Sequence, residues 1–241
     1  MSATLYGVGV GPGDPELLTL KAVKVLAAVP VIAYVAPRVD GEVDGKVAPS
    51  LARAIAAPHL QGAKTEITIA IAMREDPGSG QLEYDRAAAV IAGHLAAGRD
   101  VAMLCEGDPL LYGSFMYVLE RLRGDHKIIT VPGVSALSAA AAQAGVAMVS
   151  RRQSLMLVPA TLDEGPLEAK IKIADAIAVF KVGRHLDKVR RVLGRLGRDG
   201  DAIYIENASL ADAKVTALSD APGAAPYFSM VLVPAPSGDS E

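Results

Sequence analysis

The chain has 241 residues, of which 51% are hydrophobic and 21% charged, a mix that suits one large or two small packed domains and excludes a disordered tail. Its net charge of −3, with aromatic residues at 4% and no Trp, argues against a nucleic-acid partner, which calls for a basic face or stacking platforms. The single cysteine, Cys105, excludes an internal disulfide and a cysteine-based zinc site.

In chain order, Leu5 to Val10 reads as a short buried strand running into Gly11-Pro12-Gly13. Asp14, Pro15 and Glu16 then look like a helix start, with Asp14 as cap and Pro15 in the first position. The helix is expected to run from there through Leu17, Leu20 and Val23 to Val29, where Pro30 stops it. Val31 to Val35 is the next strand, and this opening predicts a parallel sheet in the first half. Between Pro37 and Gly80 the pattern loosens. It holds a loop at Asp40 to Gly45, a short helix from Pro49 to Leu60, a strand from Glu66 to Met73 and a turn-rich stretch from Asp76 to Gly80. A helix from Tyr84 to Ala97 closed by Gly98 precedes the apolar strand Asp100 to Cys105. Gly107-Asp108-Pro109 follows that strand and is expected to start a helix, as Gly13-Asp14-Pro15 does.

Lys127 to Val131 reads as a strand, and Pro132-Gly133-Val134-Ser135 leads into an Ala-rich helix, Ala136 to Ala144. A segment with Pro159, Gly165 and Pro166 follows. Strand-like runs at Ser154–Val158, Ala176–Val182, Ala202–Ile205 and Phe228–Val233 bracket helices in the second half. The run from Lys181 to Arg198 carries many Lys and Arg residues, with Val189, Val192, Leu193 and Leu196 at the spacing of a buried face. It reads as an amphipathic helix with a solvated basic side. The fold class is therefore α/β in two α/β domains, 1–131 and 132–241, with the boundary somewhere in 115–152.

Three strand ends carry special loops: Gly7 to Asp14, Glu106 to Pro109, and Val131 to Ser135. In an open parallel sheet, ligands bind beyond the carboxyl ends of the strands, so these loops can converge. A dinucleotide-binding loop fails on spacing. Counted from Gly7, the third glycine of G-x-G-x-x-G falls at Pro12; counted from Gly9, it falls at Asp14. No acidic residue ends the second strand, and no Gly-Lys-Ser/Thr follows the glycines.

The stretch Gly7-Val-Gly-Val-Gly-Pro-Gly-Asp-Pro-Glu-Leu-Leu-Thr-Leu-Lys-Ala22 resembles the first signature of the tetrapyrrole (corrin/porphyrin) methylase family. Glu106-Gly-Asp-Pro-Leu-Leu-Tyr-Gly-Ser114 resembles its second and Val131-Pro-Gly-Val-Ser-Ala136 its third, in the family's order, with matching features as far as Glu206-Asn-Ala-Ser209. The resemblance implies a homodimer of two-domain chains that bind S-adenosylmethionine in a cleft between the domains and release S-adenosylhomocysteine. The segment from Ser50 to Met73, with Tyr84-Asp85 and Phe180 to Gly183, resembles the branch that methylates C20 of precorrin-2 on the way to cobalamin.

Carried over residue by residue, the resemblance implies cofactor contacts at Gly9, Pro12, Gly107, Asp108, Leu111, Tyr112, Ser135, Ala136, Lys181, Ala208, Ser229 and Met230. Read without it, Asp14, Asp108 and Ser135 are helix caps and Leu111 is core. The implied tetrapyrrole substrate carries many carboxylates, which guanidinium groups bind bidentately; Arg38, Arg53, Arg151 and Arg152 are the candidates. The sulfonium methyl is already activated, so no catalytic side chain is assigned. The four histidines, His59, His94, His126 and His185, lie apart and suggest no metal ligand set. Met1 to Thr4 lacks the basic start of a signal peptide, and the longest uncharged apolar stretch, Val25 to Pro37, is too short to span a bilayer. With one thiol, these features predict a cytoplasmic protein with no membrane partner. Methylation of cobalt-bound precorrin-2 at C20, of another corrin-ring carbon or of uroporphyrinogen III is the alternative activity; a non-catalytic binder of cofactor or corrinoid is the alternative class.

Overall fold

A computed structural model of the chain describes residues 3–39, 46–72 and 80–236. The expected loop at Asp40 to Gly45, the strand end Met73 and the turn residues Asp76 to Ser79 lie outside them. The chain divides into two compact units, Met1–Ser135 and Ala136–Glu241.

The first unit is built on a five-stranded sheet. Its strands are β1 (Thr4–Gly9), β2 (Val31–Pro37), β3 (Thr65–Ile71), β4 (Val101–Cys105) and β5 (Lys127–Val131), in the spatial order β3-β2-β4-β1-β5. Every pairing is parallel. Helices α1 (Leu20–Ala28) and α2 (Leu51–Ala56) cover one face, while α3 (Gln81–Ala96) and α4 (Phe115–Leu122) cover the other. Alternation along β4 divides its side chains between the two cores: Val101, Met103 and Cys105 face α3 and α4, and Ala102 and Leu104 face α1 and α2. All five are buried, which is why this strand reads as an unbroken apolar run.

The second unit has a mixed sheet. After α5 (Ala136–Ala144) come β6 (Leu155–Pro159), α6 (Glu164–Lys172), β7 (Ala176–Phe180), α7 (Leu186–Arg195), β8 (Ile203–Glu206), β9 (Lys214–Ala217) and β10 (Ser229–Val233), in the sheet order β6-β7-β10-β8-β9. β6 and β7 are parallel, whereas β10 runs antiparallel to both neighbours and β8 antiparallel to β9. Helices α6 and α7 pack on one face and α5 on the other.

Two expected helix starts are corrected. Asp14 does accept a hydrogen bond from the Glu16 N–H at 2.8 Å, but it caps only a 3-10 turn, Pro15–Leu17. Leu18 is extended, and α1 begins after Thr19, whose hydroxyl accepts from the Ala22 N–H at 3.1 Å. Two caps five positions apart, Asp14 and Thr19, divide what periodicity joins. Likewise Gly107-Asp108-Pro109 starts no helix. The chain coils on itself, with Tyr112 left-handed (φ 59°), and α4 starts only at Phe115. The sequence reading missed β9, while the helix expected between the strand runs ending at Val158 and starting at Ala176 is α6, which tolerates Pro166 because that residue lies in the first turn. The basic side of α7 is engaged rather than merely solvated: Arg191 and Arg195 pair with Glu164 and Glu168 of α6, and Lys188 donates to the Leu162 carbonyl. Among the described residues, no helix is long and apolar enough to cross a membrane.

Candidate functional site

The strand order explains why the three glycine loops meet. β1 lies between β4 and β5, with Gly9 opposite Cys105 and Val8 opposite Val131, so the chain leaves all three strands side by side. Beyond the sheet, the Val10 N–H donates to the Cys105 carbonyl at 2.9 Å and the Gly107 N–H to the Gly11 carbonyl at 2.8 Å. A Cβ on Gly9 would stand 2.6 Å from the Gly107 carbonyl oxygen and equally close to Cα and N of Gly133. One on Gly133 would collide with the Gly107 carbonyl. Three backbones are therefore in direct contact at one point, which only glycine permits.

Asp108 joins the loops. Its Oδ1 accepts from the Leu110 N–H at 2.9 Å, and its Oδ2 accepts from the Gly133 N–H at 3.1 Å, linking the second loop to the third. Both carboxylate oxygens are thus engaged by backbone. The candidate Pro12 sits in the loop after β1, while Leu111 and the left-handed Tyr112 leave their side chains substantially exposed. Burial raises the Tyr112 phenol above its ordinary value. Ser135 and Ala136 occupy the passage from the third loop into α5.

Beside these residues stand two groups at the end of β4. Glu106 is half-buried; its Oε1 accepts from the Ala52 N–H of α2 at 3.1 Å, and burial raises its carboxyl above the ordinary range. The Cys105 thiol is fully buried and pushed up to about 12 by burial. That makes it a packing group, as the sequence suggested.

In the second unit the remaining candidates gather at one end of the sheet. Antiparallel β10 starts where β7 and β8 finish, which places Ser229 and Met230 beside the exits that carry Lys181 and Ala208. The Asn207 N–H donates to the Phe228 carbonyl at 2.8 Å, and the Ser209 N–H to Oε1 of Gln143 in α5 at 3.0 Å. Lys181 (φ 54°), Asn207 (φ 50°) and Ser209 (φ 67°) are all left-handed at this end. Such strain in non-glycine residues concentrates at ligand clamps. Ala136, Ala208 and Met230 share one apolar cluster. Ser229 faces the other way: its hydroxyl donates to the Pro226 carbonyl at 2.7 Å and accepts from the Gly183 N–H at 3.1 Å.

The four candidate arginines do not converge. Arg53 lies flat on the carboxylate of Glu66, with its Nε 3.1 Å from both oxygens and its Nη2 2.9 Å from Oε1, while Tyr34 donates to the same carboxylate at 2.7 Å. The Arg53 hydrogen bonds hold the Glu66 carboxyl below its ordinary value. Arg38 pairs with Glu83 at 3.0 Å, in a hollow of about 210 Å³ that Arg86 and Thr68 also line. Arg151, left-handed at φ 46°, and Arg152 are exposed in the turn before β6. Among the described residues, no three His, Cys, Asp or Glu side chains gather as a metal ligand set does. Sequence reasoning did not single out Gly133 as a contact point, and it valued Glu206 only as part of a motif. A carboxylate closing an otherwise apolar strand was the available signal for Glu206.

A family model described as tetrapyrrole (corrin/porphyrin) methylases matches residues 4–221, which includes the three glycine loops and the candidates as far as Ala208. The chain belongs to this family. Over 240 residues it is 40% identical to a precorrin-2 C(20)-methyltransferase of Sinorhizobium sp, covering 95% of this chain and 94% of the relative. It is 27% identical over 239 residues to a cobalt-precorrin-2 C(20)-methyltransferase of Salmonella typhimurium, covering 97% of each. Among solved structures, a cobalt precorrin-4 methyltransferase matches with a TM-score of 0.73 at 24% identity, covering 96% of this chain and 94% of that one; that likeness speaks to the fold. The three loops that resemble the family's signatures pack together at Gly9, Gly107 and Gly133, so the glycines there have a steric basis in this chain.

Proposed function

We propose that this protein transfers the methyl group of S-adenosylmethionine to C20 of precorrin-2, giving precorrin-3A and S-adenosylhomocysteine in cobalamin biosynthesis. The observation that carries this reading is the end-to-end likeness to the Sinorhizobium C20-methyltransferase, with all three loop signatures intact. The reaction replaces the C20 hydrogen with a methyl group and releases a proton. Because the donor methyl is already activated, the chain needs no nucleophile and no metal for this step. Its work is to hold the carbon in line with the sulfur and methyl, a positioning effect worth ~7–11 kcal/mol in favourable cases, and to keep water out.

The residues present fit such a donor. The packed loops of the first unit and the strand ends of the second each present backbone polar groups and apolar side chains, together with the charged side chains of Asp108 and Lys181. The cofactor roles of Gly9, Pro12, Gly107, Asp108, Leu111, Tyr112, Ser135 and Ala136, and of Lys181, Ala208, Ser229 and Met230, are part of this proposal. For Asp108 and Ser229 the role is structural support, because their side chains are engaged by backbone. Arg151 and Arg152 are the better candidates for substrate carboxylates, since Arg38 and Arg53 are already paired. The proposal includes a cytoplasmic homodimer.

The test is an anaerobic incubation with metal-free precorrin-2 and methyl-labelled S-adenosylmethionine, read by mass and carbon NMR. One labelled methyl at C20 supports the reading. Turnover only with cobalt-precorrin-2, the substrate class in the Salmonella relative's name, would move it to the metal-bound substrate. Cofactor binding without transfer to any tetrapyrrole would leave the non-catalytic binder.

A further inference from the structure

Helix α2 is short, and its first-turn N–H groups need acceptors outside the helix. The Ser50 hydroxyl, at the cap position, accepts from the Arg53 N–H at 3.4 Å. The Ala52 N–H, one position earlier, donates to Oε1 of Glu106 at 3.1 Å, across 54 positions of sequence. Glu106 stands between the end of β4 and Gly107, so this bond fixes the start of α2 to the second glycine loop. At its other end α2 passes without a break into a 3-10 turn, Ala57–His59. There Nε2 of His59 lies 3.0 Å from the Pro15 carbonyl oxygen, and a carbonyl only accepts, so the ring nitrogen donates. Pro15 directly follows the first glycine loop. One short helical piece is therefore tied at its start to the second loop and at its end to the first.

Between these ties the apolar side of α2 is closed, since Ala52, Ile55 and Ala56 are buried in one cluster with Val8 and Val10 of the first strand's exit and Leu104 of β4. That burial keeps α2 on the sheet, but apolar contact is non-directional and does not set the loops beyond it. The two polar ties act on the loops themselves. Past Gly11, the Glu16 and Leu17 N–H groups donate to Asp14 and the Leu18 N–H to Pro15, all within the segment, whereas His59 reaches it from another element. In the second loop Gly107 is left-handed (φ 63°), and its carbonyl oxygen lies at the point where Gly9 and Gly133 meet. Glycine has the freest backbone of any residue, so a side chain anchored on α2 at the position just before it limits how far that carbonyl can swing.

We propose that Glu106 and His59 are positioning residues, which through the helical piece Leu51 to His59 hold the second and first glycine loops at the spacing that receives S-adenosylmethionine. This rests on the reading that those loops contact the donor, and it goes further by assigning donor affinity to a segment outside all three loops.

The test uses the full chain with Glu106→Ala and His59→Ala, and with Glu106→Gln and His59→Gln as conservative partners. Glutamine keeps an acceptor for the Ala52 N–H at position 106 and a donor for the Pro15 carbonyl at position 59. S-adenosylhomocysteine affinity is measured by calorimetry, and kcat and KM for S-adenosylmethionine with precorrin-2 are measured far below the unfolding temperature. Both Ala variants are expected to bind roughly tenfold more weakly with a matching rise in KM, with kcat at saturation within about twofold of the native value and both Gln variants within about threefold of native affinity. Lys64→Ala is the control: it removes a donor to the Ala27 and Val29 carbonyls after α1, at the opposite end of the sheet, and should lower the unfolding temperature while leaving affinity alone. A folded Glu106→Ala or His59→Ala protein that behaves like this control, less stable but with native affinity, overturns the proposal. So do Gln variants that bind as weakly as the Ala variants. If Glu106→Ala fails to fold, the His59 pair decides. Gly9→Ala tests the underlying reading separately. Native affinity in that folded protein overturns the reading and this proposal with it, whereas weakened binding there, with native affinity in both Ala variants, overturns the positioning roles alone.

Discussion

Replacing Gly9 with Ala puts one methyl group where three backbone segments already touch. The new Cβ would lie 2.6 Å from the Gly107 carbonyl oxygen and from two backbone atoms of Gly133. Relief requires most of an ångström of movement, and none of the three contacts is a flexible side chain that could swing aside. The Gly107 segment is tied by its N–H to Gly11 and the Gly133 segment by its N–H to Asp108, so parting the loops strains both hydrogen bonds. Overpacking costs typically 1–3 kcal/mol, and a rigid backbone surround places this variant near the upper end, at about 3 kcal/mol. The assay is urea unfolding of Gly9→Ala with Gly124→Ala as control, since a Cβ at Gly124 meets nothing within 4 Å. The control is expected within about 0.5 kcal/mol of the native protein. Cofactor affinity measured on the folded variant should fall at least tenfold, because the loops that part are those assigned to the donor. A Gly9→Ala protein with native stability and native affinity would refute the steric argument.

Three other outcomes are expected. Asp108→Asn keeps one acceptor for Leu110 but turns an amide N–H toward the Gly133 N–H; it should cost about 2 kcal/mol in urea unfolding, in line with loss of a hydrogen bond to a charged group. The Glu106 carboxyl, raised by burial, holds its proton in the folded state at pH values where the unfolded chain has lost it. Its contribution to stability is therefore full below the ordinary carboxyl range, declines as pH climbs toward the raised folded value and is gone above it. Glu106→Gln should remove that slope while preserving the acceptor for Ala52, which unfolding curves taken across pH 4 to 8 would reveal. Cys105, with its thiol pushed up to about 12 by burial, should resist a thiol reagent at pH 8 until the first unit unfolds; labelling at the rate of a free thiol in the native protein would contradict the buried site.

Much of the fold was legible because it depends on short windows. Apolar runs such as Val101 to Cys105 announce strands buried on both faces, and Gly-Pro-Gly and Gly-Asp-Pro punctuate their ends. Where two local signals competed, the reading failed: Thr19 caps α1 within a continuous apolar periodicity, and the left-handed Tyr112 delays α4 beyond a plausible cap at Asp108. The hairpin partner β9 was missed because the short Lys214–Ala217 segment is mostly exposed and gains its strand character from pairing with β8.

The sequence by itself determined most of the order of strands and helices along the chain, the three loop signatures and the family they resemble. All of these are properties of residue type at fixed spacing. Tertiary structure alone decided that Gly9, Gly107 and Gly133 touch, since that follows from β1 lying between β4 and β5. It also turned Asp108 from a helix cap into a tie between loops, and set the Tyr204 phenol and the Lys214 ammonium on the Glu206 carboxylate. The reason is physical. A hydrogen bond or a backbone contact between residues far apart in sequence depends on which strands are neighbours and in what register, and that choice is made by burial of the whole sheet rather than by any local run of residues.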